Sequence, residues 1–328
     1  MIVYTKQEAI SRMNHFGMSG EPFLFCIDYK QERIFVEKPE LINPGEFLYD
    51  LNGLTNTDKE SHELLSSEIK WKINPVSFEE YTASFDIVSR NIHAGNSYLV
   101  NLTSETQVQT NLSLEEIFYH SIAKYKFLWK EHFVVFSPEI FVRISDNVIS
   151  SYPMKGTIDA SLPDANNRIM NDPKEAAEHA TIVDLIRNDL SMVATGVSVP
   201  RFRYIDELRT NSGYLLQVSS EVKGFLPDDW RSRVGTILFT LLPAGSITGA
   251  PKKKTVQIIE EAETYERGFY TGIMGYFDGF NLDSAVMIRF IEQRQSAFYF
   301  KSGGGITSQS NVSDEYNEMK QKVYVPIY

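Results

Sequence analysis

Cysteine, basic charge and long apolar runs are all scarce in this chain of 328 residues. The single cysteine, Cys26, excludes an internal disulfide and any zinc site built from several cysteines, and such usage is typical of a reducing compartment. With 32 Lys and Arg against 43 Asp and Glu, the formal net charge is −11, which disfavours nonspecific binding to nucleic acid or anionic lipid. No stretch reaches the roughly 18 apolar residues of a membrane span, and the N-terminus lacks a signal-peptide pattern. We therefore expect a cytoplasmic protein without nucleic-acid or membrane partners.

The apolar content allows a large core, because 42% of the residues are hydrophobic and 12% are aromatic. No change in composition and no low-complexity linker marks a domain boundary. Predicted strands come in runs separated by single helices, without regular strand–helix alternation. This order favours an α+β fold with antiparallel sheets over a doubly wound parallel sheet.

Local patterns predict the individual elements. The capping-box pairs Ser77 with Glu80 and Ser113 with Glu116 indicate two helix starts. Helical periodicity predicts further helices at residues 173–193, 228–242, 251–263 and 312–324. Alternation predicts a hairpin at 22–29 and 33–37 and strands at 98–110, 132–136, 140–144, 148–152, 197–204, 271–277, 284–292 and 297–301.

Three unusual segments indicate a small anionic ligand: PMKGT at 153–157, PAGSITGAPK at 243–252 and GGGI at 303–306. Glycine-rich loops bring backbone N–H groups and a helix N-terminus around an anion, and Ser246, Thr248 and Lys252 could add donors. One such segment alone is usually an ordinary turn before a helix. Three in one chain favour an anion site.

Two predicted helices each carry a pair of glutamates at three-residue spacing, Glu175 with Glu178 and Glu315 with Glu318. Each pair alone is most simply a solvated helix face. If the two helices face each other, the four carboxylates could hold a hard divalent cation, a pattern that suits Mg²⁺. His179 is a poor ligand for that metal, so a capping or packing role is favoured for it.

In their order along the chain these motifs resemble the chorismate-utilising enzyme family, which includes anthranilate, aminodeoxychorismate, isochorismate and salicylate synthases. The resemblance covers residues 78 to 325 and includes IHAGN at 92–96, SPE at 137–139, IVDLIRND at 182–189 and IR at 288–289, besides the three segments and the glutamate pairs. It implies the family's fold, in which antiparallel sheets form a sandwich core with helices packed outside. It also implies a single domain over residues 1–328, with residues 1–77 as a shortened N-terminal part and 78–328 as the chorismate-binding catalytic region.

The resemblance assigns roles to residues. It implies that Mg²⁺ orients the ring carboxylate of chorismate and is held by Glu175, Glu178, Glu315 and Glu318. The substrate-binding residues that it implies are Thr157, Thr248, Tyr276, Arg289, Gly303, Gly304, Gly305 and Lys322. It also implies that Glu139 is the general acid that protonates the leaving hydroxyl, a role that needs a pKa raised by burial.

Lys155 distinguishes between members of the family. Lysine in this context is typical of members that aminate chorismate at C4, where it acts as a nucleophile, whereas anthranilate-forming members typically have alanine. Gln217 replaces the histidine that serves aromatisation, and Leu99 replaces the lysine of water-adding members. We expect 4-amino-4-deoxychorismate as the product, for p-aminobenzoate and folate synthesis. Anthranilate synthesis and a catalytically weak chorismate-binding subunit remain the alternatives.

The nitrogen source is expected to lie outside this chain. The class of amidotransferase that usually serves the family needs a nucleophilic cysteine on a glycine-flanked turn. Cys26 lies in a predicted strand with no flanking glycine. We therefore expect a separate glutamine amidotransferase subunit that supplies ammonia.

Overall fold

The structure is a computed structural model that describes residues 3–57, 68–210 and 213–327. The helices in these ranges are α1 Lys6–Ser19, α2 Phe78–His93, α3 Leu114–His120, α4 Ala165–Asn171, α5 Pro173–Ser191, α6 Val234–Leu241, α7 Lys252–Ala262 and α8 Val312–Gln321. The strands are β1 Phe23–Ile27, β2 Ile34–Glu37, β3 Phe47–Leu51, β4 Leu54–Thr55, β5 Trp71–Pro75, β6 Leu99–Thr110, β7 Tyr125–Trp129, β8 Phe133–Ser137, β9 Ile140–Ser145, β10 Val148–Ser151, β11 Met154–Asp159, β12 Thr195–Thr210, β13 Gly213–Phe225, β14 Gly249–Ala250, β15 Ile273–Phe277, β16 Leu282–Val286, β17 Phe290–Arg294 and β18 Ala297–Ile306.

These strands form two antiparallel sheets. Sheet A has the order β11-β13-β10-β9-β16-β15-β1-β2, and β12 also pairs with β13. Sheet B has the order β14-β6-β18-β17-β8-β7-β3-β4, and β5 also pairs with β6. Early strands pair with late ones in both sheets, β1 with β15 and β6 with β18. The N-terminal part of the chain is therefore built into the same sheets as the rest.

Side-chain alternation divides the core into layers. In β1, Leu24 and Cys26 join the aromatic cluster between the two sheets, whereas Phe23 and Phe25 join the cluster that α1, α5 and α6 cover. On sheet B, the far face packs against α3 in one cluster and against α2, α7 and α8 in another. Fully burying a phenylalanine side chain stabilises the fold by roughly 1.5–3 kcal/mol, so these layers explain why the sheets are so rich in aromatic residues. The predicted sandwich of antiparallel sheets with outer helices is confirmed.

The capping boxes begin helices where the sequence predicted them. Ser77 Oγ accepts the Glu80 N–H, and the Glu80 carboxylate accepts the Ser77 N–H at 2.9 Å. The pair Ser113 and Glu116 does the same for α3. A third box, at Thr5, begins α1, which the sequence analysis did not predict. None of the helices in the described ranges is both long and apolar enough to cross a membrane.

The single strand predicted at 284–292 is wrong, and the error bears on function. The chain leaves sheet A after Val286 and enters sheet B at Phe290. Between them Arg289 has a φ of 53°, in the left-handed region that breaks a strand. The apolar pattern runs across the break because residues on both sides are buried, so periodicity could not reveal the crossing.

Other predicted boundaries also shift. The helix predicted at 228–242 is a 3-10 turn at Trp230–Arg233 followed by α6. Pro251 is the N-cap of α7 rather than its first residue. The predicted loop at GGGI is the end of β18. Elements that were not predicted are α1, α4, β3, β4, β5, β7, β11, β13 and β14, most of which are short or carry polar residues that obscure alternation.

Candidate active site

A cavity of about 180 Å³ lies where parts of both sheets meet α5 and the C-terminal end of α8. Several elements that are remote in sequence contribute to its wall, among them β6, β11, β18 and the 3-10 turn Gly245–Ile247. Of the residues predicted from sequence, those that line it are Glu139, Lys155, Glu178, Ser246, Arg289, Gly303, Gly304, Gly305 and Lys322. The fold thus gathers residues from all three unusual segments and from one glutamate pair.

Lys155 reaches the cavity from an irregular point in β11. The register against β13 shifts between Met154 and Thr157, and Gly156 within the shift has a φ of 84°, which glycine adopts at little cost. Lys155 Nζ lies 2.7 Å from Glu178 Oε2. The bulge therefore directs this lysine at a carboxylate of α5.

Charge around Lys155 keeps its proton in place. Burial lowers the pKa of Lys155, but the ion pair with Glu178 and the charges of Glu318 and Glu175 outweigh burial, so the pKa lies above its ordinary value. The side chain is held as an ammonium group in this arrangement.

Glu139 has the opposite character. It follows β8, lines the cavity and is half-buried, and Ser246 Oγ donates a hydrogen bond of 2.5 Å to its Oε1. Burial raises the pKa of Glu139; the Ser246 hydrogen bond and the charge of Lys322 lower it, and the net result is above the ordinary value. A raised pKa is what a carboxyl group needs in order to donate a proton near neutral pH.

Two cations and a glycine run form another part of the cavity lining. Arg289 Nη1 donates to the Lys322 carbonyl at 2.8 Å, and its guanidinium lies 4.9 Å from the centre of the Tyr324 ring. Lys322 Nζ donates to the Gly303 carbonyl at 2.8 Å and forms an ion pair of 2.8 Å with Glu318. A guanidinium beside an ammonium and backbone N–H groups is a suitable receptor for a carboxylate.

The predicted metal ligands lie around this cavity. A Cβ added at Gly304 would lie 3.4 Å from Glu315 Oε2 and 3.5 Å from Glu318 Oε1. Glu175 Oε2 is buried without a hydrogen-bond partner in the described part of the chain. Burial raises the pKa of Glu175, and the charges of Glu178 and Glu318 add to that effect while Lys155 opposes it.

These carboxylates suit Mg²⁺ in their chemistry more than in their present arrangement. Mg²⁺ prefers hard oxygen ligands, which these carboxylates provide. A bound ion would also give the buried Glu175 Oε2 the partner that it lacks. However, no group of three or more His, Cys, Asp or Glu side chains within the described ranges is placed to hold a metal ion. Binding would therefore require side-chain rotation, beginning with the contact between Glu178 and Lys155.

Three predicted substrate-binding residues do not line the cavity. Thr157 is exposed on β11, opposite Gln217 of β13. Thr248 is fully buried, and its hydroxyl donates to the Ala244 carbonyl at 2.8 Å. Tyr276 is half-buried in β15 and packs against the cluster between the sheets. None of these three side chains is therefore part of the cavity lining that contains Lys155 and Glu139.

The polar side chains of the loop PAGSITGAPK contact other groups of the protein. Lys252 Nζ forms an ion pair of 2.8 Å with Asp189 of α5 and donates to the Leu241 carbonyl at 2.9 Å. Of the three donors expected from sequence, only Ser246 lines the cavity, and it contacts Glu139. Lys252 therefore joins the loop to α5.

Some lining residues were not singled out as site residues from the sequence. Tyr270 is buried and lies in a turn that periodicity does not describe. Asn101 stands between the buried residues Val100 and Leu102, but most residues of β6 are polar, so the local pattern does not single it out. Leu99 gives the wall an apolar side chain.

His179 packs behind the cavity, in line with the role favoured for it. Its Nε2 lies 2.7 Å from Ser220 Oγ. Burial and the positive charges of Arg203 and Lys155 lower the pKa of His179 to about 4, so the ring is neutral at physiological pH.

Comparison with known proteins gives consistent results. A family model described as chorismate binding enzyme matches residues 9–327. A Haemophilus influenzae protein called uncharacterized PabA-like protein is 50% identical over 323 residues, which cover 98% of each chain. Aminodeoxychorismate synthase component 1 of Klebsiella aerogenes is 31% identical over 270 residues, covering 77% of this chain and 58% of that protein. The solved menaquinone-specific isochorismate synthase of Escherichia coli has a TM-score of 0.73 at 16% identity, covering 98% of this chain and 82% of the other, which is a likeness of fold.

Proposed function

Because the chain belongs to the chorismate-binding enzyme family, we propose that it converts chorismate and ammonia into 4-amino-4-deoxychorismate. The observation that carries this proposal is the position of Lys155, which enters the cavity from a strand bulge and faces Glu178. A lysine at this point offers an amine nucleophile. The similarity to aminodeoxychorismate synthase component 1 of Klebsiella aerogenes supports the same reading.

Binding is assigned to the cations and the glycine run of the cavity lining. Arg289, Lys322 and the N–H groups of Gly303 to Gly305 receive the enolpyruvyl carboxylate, since they bring fixed positive charge and donors to one place. Anchoring that carboxylate orients the ring between Lys155 and Glu139. Holding reacting groups in a productive geometry is itself a large part of catalysis.

The chemistry then takes two displacement steps. Lys155 first gives a proton to Glu178, its ion-pair partner at 2.7 Å. The neutral amine then attacks C2, the ring double bonds shift, and the C4–O bond breaks as Glu139 gives its proton to the leaving hydroxyl, which departs as water. Ammonia next attacks C4, the double bonds shift back, and the lysine amine leaves C2. The proton lost by ammonia restores Glu139, and Glu178 returns its proton to the lysine amine, so the balance is chorismate plus ammonia to product plus water.

Mg²⁺ is proposed as the cofactor, held by Glu175, Glu178, Glu315 and Glu318. When bound, the ion would neutralise the ring carboxylate and withdraw electron density from the ring. The buried, unsatisfied oxygen of Glu175 supports this assignment.

Two features favour the amino compound over the products of the related enzymes. Aromatisation needs a base that removes the C2 proton. The lining of the cavity, as far as the chain is described, contains no histidine, and Gln217 lies on β13 outside it. Leu99 adds an apolar side chain that cannot activate water. The proposed product is accordingly the amino compound rather than anthranilate or isochorismate.

Ammonia is proposed to come from a glutamine amidotransferase subunit. The relative in Klebsiella aerogenes carries the designation component 1, which supports a partner of this kind. Cys26 is buried in β1, and burial raises the pKa of its thiol well above the ordinary value, so it is unsuited to glutamine hydrolysis.

A product assay tests the proposal. The protein is incubated with chorismate, ammonium and Mg²⁺, and the products are separated with and without an added aminodeoxychorismate lyase. We expect p-aminobenzoate only when the lyase is present, and no anthranilate fluorescence. Lys155→Arg keeps the charge but removes the nucleophile, so it should be inactive alongside Lys155→Ala. Anthranilate as the main product, or undiminished activity of Lys155→Arg, would contradict the proposal.

A further inference from the structure

Arg267 is almost completely buried behind the cavity wall and is outside the proposed chemistry. Its Nε donates to Glu263 Oε2 at 2.8 Å, and its Nη2 donates to Glu263 Oε1 at 2.6 Å and to the Asn101 carbonyl at 2.7 Å. Its Nη1 donates to the Ile247 carbonyl at 3.0 Å and to Thr271 Oγ1 at 3.4 Å. A guanidinium has five N–H donors, so every donor of Arg267 has an acceptor.

Glu263 is equally engaged. Its Oε1 also accepts the Thr103 N–H at 2.9 Å and the Thr103 hydroxyl at 2.7 Å. Thr103 is paired with Gly303, and Asn101 is paired with Gly305 in β18. The ion pair between Arg267 and Glu263 therefore holds the stretch of β6 that lies against the glycine run of the cavity.

The same arginine also reaches the loop that carries Ser246. The Ile247 carbonyl accepts hydrogen bonds from both Arg267 and Asn101 Nδ2, the latter at 3.0 Å. Ser246 directly precedes Ile247 and donates to Glu139. One buried guanidinium thus connects two cavity-lining segments, β6 and the loop. The loop residue that it binds, Ile247, is next in sequence to Ser246, which contacts Glu139.

Stability alone is a poor explanation for such a group. Removing two charges from water costs several kcal/mol, and apolar replacements for buried ion pairs are often neutral or stabilising. We infer that Arg267 is a positioning residue, which fixes the Asn101 and Ile247 carbonyls and thereby sets the distance between Ser246 and Glu139. The expected effect of Arg267 on the rate of turnover rests on the proposed function. Its expected effect on the position of the loop does not.

The test compares Arg267→Lys and Arg267→Met with a matched control. Lysine keeps the charge but has three donors instead of five. The control is Arg12→Lys, because Arg12 also bonds a glutamate and a backbone carbonyl, Glu37 at 2.8 Å and Val36 at 3.2 Å, away from the cavity. All variants are first compared for thermal unfolding.

The first measurement is amide hydrogen exchange followed by mass spectrometry, which needs no activity. We expect faster exchange in the peptides that contain residues 99–106 and 244–250 in both Arg267 variants, and unchanged exchange there in Arg12→Lys. Equal protection of these peptides in Arg267→Met and wild type would overturn the inference, whatever the unfolding temperature.

The second measurement is the pH profile of turnover. A displacement of about 1 Å at a reacting group can reduce the rate about 100-fold, so we expect that loss in kcat for Arg267→Lys with a smaller change in KM. The part of the pH profile in which Glu139 loses its proton should shift toward higher pH in Arg267→Lys, as it should in Ser246→Ala. Both substitutions weaken the hydrogen bond from Ser246 to Glu139. The other charged or titratable groups lining the cavity are Lys155, Glu178, Tyr270, Arg289, Lys301 and Lys322.

The outcomes separate the two hypotheses. If wild type fails to aminate chorismate but the exchange pattern is as expected, the proposed function is wrong and the positioning role stands. If wild type is active and Arg267→Met retains its kcat and pH profile, Arg267 has no positioning role.

Discussion

Replacing Ser246 with alanine should move the pH dependence of catalysis in a direction that the structure determines. The Ser246 hydroxyl donates to Glu139 Oε1 at 2.5 Å, so it stabilises the ionised carboxylate more than the neutral acid. A hydrogen bond to a charged group contributes about 1.5–3 kcal/mol, against about 0.5–1.5 kcal/mol for a neutral pair. The difference, about 1 kcal/mol or more, corresponds to about one pKa unit at 1.36 kcal/mol per unit. The pKa of Glu139, already above its ordinary value, should therefore rise further in Ser246→Ala.

The assay is the ratio of kcat for Ser246→Ala to kcat for wild type, measured from pH 5 to pH 9 with saturating chorismate and ammonium. Taking the ratio cancels the pH dependence of free ammonia. Because the general acid must be protonated, wild-type activity should fall first as pH rises, so the ratio should increase about tenfold across the limb. A ratio that stays flat, or falls, with rising pH would refute the assignment of Glu139 as the acid.

The same change has a consequence for stability. The folded-state pKa of Glu139 is raised, so its contribution to stability is present below the unfolded pKa and is lost as pH rises through the folded pKa. Ser246→Ala enlarges that loss. The destabilisation measured by urea unfolding should be about 1 kcal/mol greater at pH 8 than at pH 4. Equal values at the two pH values would contradict the reasoning without any reference to activity.

Three further predictions concern the metal, the glycine run and the nitrogen source. Turnover should vanish with a chelator and return with Mg²⁺, and full activity in chelator would exclude the metal. Glu318→Gln should lower kcat by several orders of magnitude, while the exposed control Glu79→Gln should not. In Gly304→Ala the new Cβ meets only side-chain ends at 3.4 Å or more, so the variant should fold but bind chorismate poorly. Gly303→Ala instead places a Cβ 2.2 Å from the Leu102 carbonyl oxygen, and this variant should unfold at a clearly lower temperature. Isolated protein should be inactive with glutamine and active with ammonium; steady product formation from glutamine, with contaminating glutaminase excluded, would argue against a partner subunit.

Much of the fold could be predicted from local patterns. Capping boxes predicted the starts of α2 and α3 to the residue, because the side-chain to backbone hydrogen bonds that form them are local. The hairpin of β1 and β2 was predicted from alternation and a turn. The break at Arg289 was missed because a change of sheet is a tertiary event, and because the residues next to the break, 285–288 and 290–291, are apolar on both sides.

Part of the cavity lining could be predicted from the sequence, but the contacts between its residues could not. The resemblance to the family led to Lys155, Glu139 and Arg289, which the fold brings to one cavity. It could not reveal that Lys252 would bind Asp189, because an ion pair between a loop and α5 depends on how the two pack. Nor could it reveal the ion pair between Lys155 and Glu178, which decides the charge state of the lysine.

The most direct measurement of the central claim is the mass of Lys155 during turnover. Wild-type protein is mixed with chorismate and Mg²⁺ without ammonia, quenched rapidly and digested. The account predicts that the peptide containing Lys155 gains the mass of chorismate less one water, that added ammonium removes the adduct, and that Lys155→Arg never forms it. A wild-type protein that aminates chorismate at C4 while this peptide stays unmodified would contradict the account, since ammonia would then attack without a covalent intermediate on this lysine.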